Sequence, residues 1–444
     1  MFIDIIFTAI SADSLQKLNL FIQIITIMNL VIGWGLNVIY FYQHFYALVS
    51  IFTKPKKYPK AKTLHKYAYL ICAHGEDKVV GNLVRSILEQ DYPKELMHVF
   101  VVADNCTDNT ANVAREAGAT VFERTSDQKG KSWALDYAFK KLVKEYESEG
   151  FEALFLFDAD NLVSKEYTMK MNDLYDSGVK VGTGFRDSKN FGSGIIAGCA
   201  SMMFYRECLI MHHSRSLLNV GTYASGTGFY ISYDMVKDMN GWNFHTLDED
   251  IEFSLDCAYR GIKIKYCEDA VFYDEQPTSV DASRKQRMRW ARGNHEVFWK
   301  YFICKKDKPK GKLKFQTLYE MVIHTTPIPV LSILWFIVYI LFNLIWFLVT
   351  DAPISDFFDF AAVPTLWFLG MVFGVVLIHS IIVLCKYGRK IKAPWYKKII
   401  SGFLFPFYAA IFAFWSFVTL FKKVSWAKVE HNTSTSIEEL EDKK

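Results

Sequence analysis

The chain has 444 residues, of which 51% are hydrophobic and 16% aromatic, with 22% charged and a net charge of +4. That balance is richer in apolar side chains than an average soluble protein of this length, so water is not the only solvent the chain meets. The basic excess sits in Lys-rich stretches beside apolar ones, which argues for anionic lipid headgroups and against nucleic acid. Eight cysteines with no Cys-x-x-Cys or Cys/His spacing exclude a disulfide framework and a zinc site.

In chain order, residues 1–53 read as a membrane anchor with a span over about 20–42. "MFIDIIFTAISADSLQKLN" lacks a basic start and the apolar run after it is too long for a cleaved signal peptide. The next segment, 54–283, reads as soluble sequence. Apolar runs "KYAYLICA", "MHVFVVAD", "ATVFERT" and "ALFLFDAD" alternate with amphipathic stretches such as "KVVGNLVRSILEQ" and "KSWALDYAFKKLVKEY". Strand, helix, strand at this spacing predicts an α/β domain with right-handed crossovers and a mostly parallel sheet.

Three of these strands end in polar clusters, "AHGED", "ADNCTD" and "DADN", and ligands of such sheets bind outside the carboxyl ends of the strands. Each cluster alone is ordinary turn chemistry; three at one rim point to a ligand. Asp158 and Asp160 stand at i, i+2 just past a buried strand. That pair can hold a hard divalent cation and leave coordination positions for phosphate oxygens.

Residues 284–327 read as amphipathic and interfacial, beginning with "KQRMRW". On a helix Gln286, Arg289 and Trp290 fall at i, i+3 and i+4 and share one face. An indole there can stack on a sugar ring while the guanidinium compensates diphosphate charge. A C-terminal membrane region, 328–421, follows with spans expected over 328–349, 366–384 and 399–421, each long enough to cross the hydrocarbon.

The basic flanks "TKPKKYPKAKTLHK", "CKKDKPKGKLK" and "KYGRKIKAPWYKK" place the soluble domain in the cytoplasm, and "TDAPISDFFDF" faces outward. A full fourth crossing would put Lys422, Lys423 and Lys428 outside, against that rule, so a re-entrant or interfacial segment broken at Pro406 stays open. Residues 422–444 read as a polar tail with an acidic, frayed end.

From Tyr67 to Trp299 the motif order resembles the processive, membrane-embedded family 2 glycosyltransferases of GT-A fold, the group of cellulose, hyaluronan and poly-N-acetylglucosamine synthases. The resemblance implies that Ala73 and Glu76 lie near the nucleoside, Asp104 at the uracil ring and Lys131 beside the donor. Asp136 stands where the family usually has Asn. By the same match Asp158 and Asp160 hold Mg²⁺ or Mn²⁺, with Asp158 also at the donor, and Gly226, Thr227 and Gly228 belong to the acceptor side.

"TLDEDIEF" is similar to the family's Thr-Glu-Asp motif, with Asp248 before Glu249 and Asp250, and it makes Asp250 the general base with Glu249 beside it. "KQRMRW" fits the family's Q(Q/R)xRW through Gln286, Arg287, Arg289 and Trp290, assigned to the donor diphosphate and, for Trp290, also to the acceptor. The implied activity is an inverting hexosyl or N-acetylhexosaminyl transfer from a UDP-sugar to a growing β-linked polysaccharide, coupled to its translocation.

A non-processive transferase acting on a membrane lipid, and a catalytically silent membrane scaffold, are the alternatives. The expected partners are a UDP-sugar, a glycan or lipid acceptor, membrane lipids and accessory export proteins, and the expected location is the plasma membrane, multi-pass, with the catalytic domain cytoplasmic.

Overall fold

The computed structural model describes residues 20–304, 315–326, 328–349, 353–424 and 434–442. The beginning of the anchor, the basic linker at 305–314 and Lys428 lie outside them. The chain enters through a long helix, α1 (Leu20–Phe52), and then builds an eight-stranded sheet in the order β3-β2-β1-β4-β7-β6-β8-β5.

Its first half comes from the four strands legible in the sequence: β1 (Tyr67–Ala73), β2 (Met97–Asp104), β3 (Thr120–Arg124) and β4 (Ala153–Asp158), all parallel. Between them lie α2 (Val80–Leu88), α3 (Thr110–Glu116) and α4 (Lys131–Glu145). Because both faces are covered, the central strands carry continuous apolar runs rather than alternation. Tyr67, Tyr69, Ile71, Phe155 and Phe157 fill one core with α2. Ala68, Leu70, Leu154 and Leu156 fill the other with Phe139 and Leu142 of α4.

The second half departs from a mostly parallel sheet. The remaining strands are β5 (Leu162–Val163), β6 (Val181–Ser188), β7 (Phe229–Ser232) and β8 (Lys265–Asp274). β7 runs antiparallel to both β4 and β6, β5 antiparallel to β8, and β6 parallel to β8, which makes the sheet mixed. The reversal arises because the chain between β6 and β7 is no simple crossover. It runs through α6 (Ile195–Arg206), prolonged as a π-helical turn over Glu207–His213, and back through "SGTGFYIS"; α5 (Tyr167–Asp176) precedes β6. Gly228 (φ +66°) makes that return tight, since a Cβ there would meet the Phe272 ring at 2.1 Å.

Two further helices, α7 (Tyr233–Met239) and α8 (Glu249–Tyr259), lead to β8, and α9 (Val280–Phe298) carries the chain to the membrane region. There α10 (Phe315–Thr325), α11 (Ile328–Val349), α12 (Val363–Tyr387) and α13 (Trp395–Phe421) follow. Among the described residues two helices are long and apolar enough to cross a membrane, Thr365–Tyr387 and Trp395–Phe421. Phe315–Thr325 and Val330–Ile345, bent by 59°, make a third if they form one span, and Val38–Phe52 within the 33-residue α1 is a shorter apolar stretch.

α13 lies lengthwise on the soluble domain. Gly198 of α6 meets Ser401, so that a Cβ would come within 2.1 Å of its Oγ. Tyr408 pairs with Ser283 at 2.9 Å and stacks under the Arg287 guanidinium at 3.9 Å, and Ser416 meets His295 Nε2 at 3.1 Å. The acidic end, expected to fray, instead folds as α14 (Ile437–Asp442), with Ile437 and Leu440 buried against Leu162 and Tyr273. Lys392 Nζ donates to the Leu440 carbonyl at 2.5 Å. This helix therefore docks against the edge of the sheet.

A buried ion pair fixes α10 to the short helical segment that follows α6. Arg215 Nη1 lies 2.8 Å from the Glu320 carboxylate, both side chains are 2% exposed, and the Tyr46 hydroxyl donates to the same carboxylate at 2.5 Å. Removing one partner strands a buried charge, so Arg215→Ala should cost about 3–5 kcal/mol. Thermal unfolding in detergent should show the loss, and Arg215→Met combined with Glu320→Leu should recover most of it.

Candidate functional site

The carboxyl ends of β1, β2 and β4 form one wall of a cavity of about 1360 Å³. The Asp158 backbone N–H, at the end of β4, donates to Thr227 Oγ1 at 2.9 Å, which ties the strand end to the glycine turn. Lys131 opens α4 after Gly130 (φ +109°); its ammonium donates to Asp158 Oδ1 and, at 2.6 Å, to the Gly226 carbonyl, and lies 3.9 Å from Glu249. Burial opposes the Lys131 charge, but Asp158 and Glu249 outweigh it and hold the ammonium above its ordinary value.

Beside it, Asp104 at the end of β2 accepts from Arg124 at 2.5 Å, and His74 Nδ1 donates to the Asp104 carbonyl at 2.6 Å. Ala73 and Glu76 line the same rim, with the Glu76 backbone N–H donating to Thr110 Oγ1 at 2.8 Å.

The opposite wall is acidic. Asp248 precedes α8 and Glu249 and Asp250 occupy its first turn, where the free N–H groups favour negative charge. Burial, and then the Glu249 charge, nevertheless raise the Asp250 carboxyl to about 7, with Lys131 opposing. Burial also raises Glu249, and it raises Asp248 well above the carboxylate range, helped by Asp250 and Glu249. Gly226 (φ +78°) passes close by: a Cβ there would stand 3.5 Å from Asp250 Oδ2.

α9 closes the cavity. Ser279 caps it, its side chain accepting from the Ala282 N–H at 3.1 Å, which fixes where the helix begins. Gln286, Arg289 and Trp290 face the cavity as their spacing predicts, and Trp290 presents its ring edge-on to Phe204 at 6.0 Å. Arg287 points away and donates to the Tyr408 carbonyl at 2.5 Å. The two arginines of "RMR" therefore divide the work: Arg287 anchors α13 and Arg289 serves the cavity.

Of the residues singled out in the sequence, Ala73, Glu76, Asp104, Lys131, Asp158, Asp160, Gly226, Glu249, Asp250, Gln286, Arg289 and Trp290 all line this cavity. Thr227 and Gly228 stand behind the wall, Thr227 between Asp158 and Asn161 and Gly228 against Phe272. Sequence reading missed Trp133 and His245, whose rings stack at 3.9 Å, and Arg186, Glu207, Gln276 and His324. Arg186 lies two residues before the end of β6, where "RDS" could have been found as a fourth polar strand end. Glu207 arrives from a helix interior and carries no local signal.

Asp158 and Asp160 offer two oxygen donors from one wall. Among the described residues no three His, Cys, Asp or Glu side chains gather to hold an ion by themselves. That donor set fits Mg²⁺ or Mn²⁺, which take one or two protein carboxylates and complete their shell with phosphate oxygens and water.

A family model described as "Glycosyltransferase like family 2" matches residues 65–293, more than half of the chain. The poly-beta-1,6-N-acetyl-D-glucosamine synthase of Staphylococcus aureus (strain COL) is 25% identical over 317 residues, covering 70% of this chain and 72% of the synthase. The probable glycosyltransferase YdaM of Bacillus subtilis (strain 168) is 26% identical over 257 residues, 56% of this chain and 59% of that protein. In three dimensions the chain is similar to the mannosyltransferase PcManGT from Pyrobaculum calidifontis, solved with GDP-Man and Mn²⁺, with a TM-score of 0.54 at 13% identity over 88% of this chain and 99% of that one. That likeness shows the fold. With its family match, GT-A architecture and cavity at the strand ends, the chain belongs to glycosyltransferase family 2 and is a glycosyltransferase.

Proposed function

We propose that the protein transfers N-acetylglucosamine from a UDP-sugar, with inversion, to a hydroxyl of a growing β-linked polysaccharide and feeds the product toward the membrane helices. The observation that carries this reading is the pair of facing walls. Asp250, poised near neutrality, stands across Gly226 from Lys131 and Asp158. The sugar follows from likeness to the poly-N-acetylglucosamine synthase.

In this mechanism Asp250 takes the proton of the attacking hydroxyl while Glu249 keeps its carboxyl basic. Lys131 and Arg289 lie where they can compensate the charge of the departing diphosphate. Asp104, Ala73 and Glu76 hold the nucleoside at the rim of β1 and β2. A divalent cation on Asp158 and Asp160 would neutralise the diphosphate of the donor. Gly226 allows the acceptor sugar to approach the backbone, and Trp290 gives it a face to stack on.

The cavity continues past Trp290 to Tyr42 of α1, His324 of α10 and Phe412 of α13, which supports a route for the polymer. The same continuation also suits a lipid-linked acceptor entering from the membrane, so product length decides between the two. The basic flanks and the docked α14 favour a plasma-membrane protein with its catalytic domain and tail in the cytoplasm. That placement makes α13 an interfacial or re-entrant helix rather than a crossing.

The base is tested first. Asp250 must be ionised to accept a proton, so kcat/KM should fall tenfold per pH unit below about pH 7 and level off above it. Asp250→Asn should bind UDP as before yet lose about 10²–10⁴ in turnover. Near-parent turnover in that variant removes Asp250 from the role.

Chelation tests the metal: EDTA should stop transfer and added Mg²⁺ or Mn²⁺ should restore it, whereas full activity in chelator rules that cation out. Length tests the acceptor. Excess donor over enzyme should give long chains early, and Trp290→Ala should shorten or abolish them by weakening stacking by about 1–3 kcal/mol. A single-sugar lipid as the only product of the unaltered protein selects the lipid reading.

A further inference from the structure

The two carboxylates proposed for the cation sit in a turn whose last residue stands behind the cavity wall. The Asn161 backbone N–H donates to the Asp158 carbonyl at 3.1 Å, so Asp158 and Asp160 are the first and third residues of a four-residue turn that Asn161 closes. Asn161 is 1% exposed, deeper than either acid.

Its amide is engaged at both ends. Oδ1 accepts from the Thr227 hydroxyl, whose oxygen in turn accepts from the Asp158 N–H at 2.9 Å. Nδ2 donates to Asp160 Oδ1 at 3.2 Å and to Asp274 Oδ1 at 2.8 Å. That polarity is forced, because two carboxylates need a donor between them, while the hydroxyl that takes the backbone N–H has its own proton to give.

Asp274 is itself held in place. It ends β8, its other carboxylate oxygen accepts from Gln276 Nε2 at 2.8 Å, and its carbonyl accepts from the Lys189 N–H at 3.0 Å. The same Lys189 reaches back with its ammonium to the Asp160 carbonyl at 2.9 Å. The turn that carries the two acids is thus keyed to the ends of β6 and β8 as well as to its own strand.

We propose that Asn161 is a positioning residue: it sets the rotation of the Asp160 carboxylate for a divalent cation by tying it to Asp274, and through Thr227 it holds the backbone of Asp158 at the same site. The inference rests on the cation reading above and adds what aims the ligand. Hydrogen bonds from outside the coordination shell orient metal-binding carboxylates, and their loss costs about 10–100-fold in metal affinity. A leucine at this position has similar bulk and no donor, so the Asp160 and Asp274 charges would face each other with nothing between them.

The test is calorimetric titration of UDP into the full-length protein in detergent, once in saturating Mn²⁺ and once in EDTA; the ratio of the two Kd values reports the contribution of the cation. The unaltered protein should bind UDP about 100-fold more tightly with Mn²⁺, and Asn161→Leu should cut that ratio about tenfold while its Kd in EDTA stays as it was. Thr227→Val, which removes only the hydroxyl link, should act in the same direction, and Thr227→Ser, which keeps it, should stay within about twofold of the parent ratio.

A parent ratio in both Asn161→Leu and Thr227→Val overturns the positioning role and leaves the cation on Asp158 and Asp160. A Kd in EDTA that worsens as much as the Kd in Mn²⁺ also overturns it, because the cluster then serves the fold alone. If Asn161→Leu does not fold, the Thr227→Val ratio decides by itself. Equal UDP affinity of the unaltered protein in Mn²⁺ and in EDTA refutes the cation reading and the inference with it.

Discussion

A single half-buried ammonium, that of Lys131, joins three segments far apart in the chain: it donates to Asp158 at the end of β4 and to the Gly226 carbonyl in the turn before β7, and lies 3.9 Å from Glu249 at the start of α8. Its charge stands between the Asp158 and Glu249 carboxylates and offsets their mutual repulsion. With it, the strand rim and the acidic helix end face each other across the cavity. The catalytic proposal depends on this arrangement, because Asp250 keeps its proton affinity near neutrality through a balance of burial and Glu249 against Lys131.

A second constraint sets the angle of α9. Arg287, buried and stacked on Tyr408, and Ser283, paired with the same ring, fasten one side of the helix to α13. The other side is then left facing the cavity with Gln286, Arg289 and Trp290. One helix therefore couples α13 to the cavity. The Arg215–Glu320 pair does the same at the far edge, holding α10 to the turn after α6. Buried charges of this kind contribute less to net stability than to uniqueness, since only one docking geometry pairs them.

Much of the soluble domain was legible in the sequence because its signals are local. A buried parallel strand is a short continuous apolar run, and β1, β2 and β4 are such runs, each ending in polar residues that line the cavity. The spacing within "KQRMRW" dictates which side chains share a helical face, whatever that helix packs against. Chain length and hydropathy likewise mark α12 and α13 as apolar enough for a membrane, and the residues that the family resemblance assigns to the donor come together along one cavity.

What only the tertiary structure decided depends on which surfaces meet. The antiparallel entry of β7 turns on a close approach between Gly228 and Phe272, a contact 44 positions apart in sequence that no periodicity reports. Thr227 and Gly228 look like sugar-facing residues in the sequence and stand behind the wall, because a turn's composition does not tell which of its sides is covered. The docking of α14, the path of α13 along α6 and α9, and the notch at Gly293 that admits Asp248 are likewise matters of shape between distant segments. Local propensity and hydrophobic pattern specify elements and their faces; the pairing of those faces, and the burial that moves a carboxyl such as Asp250 into the neutral range, arises only once the whole chain has excluded water from between them.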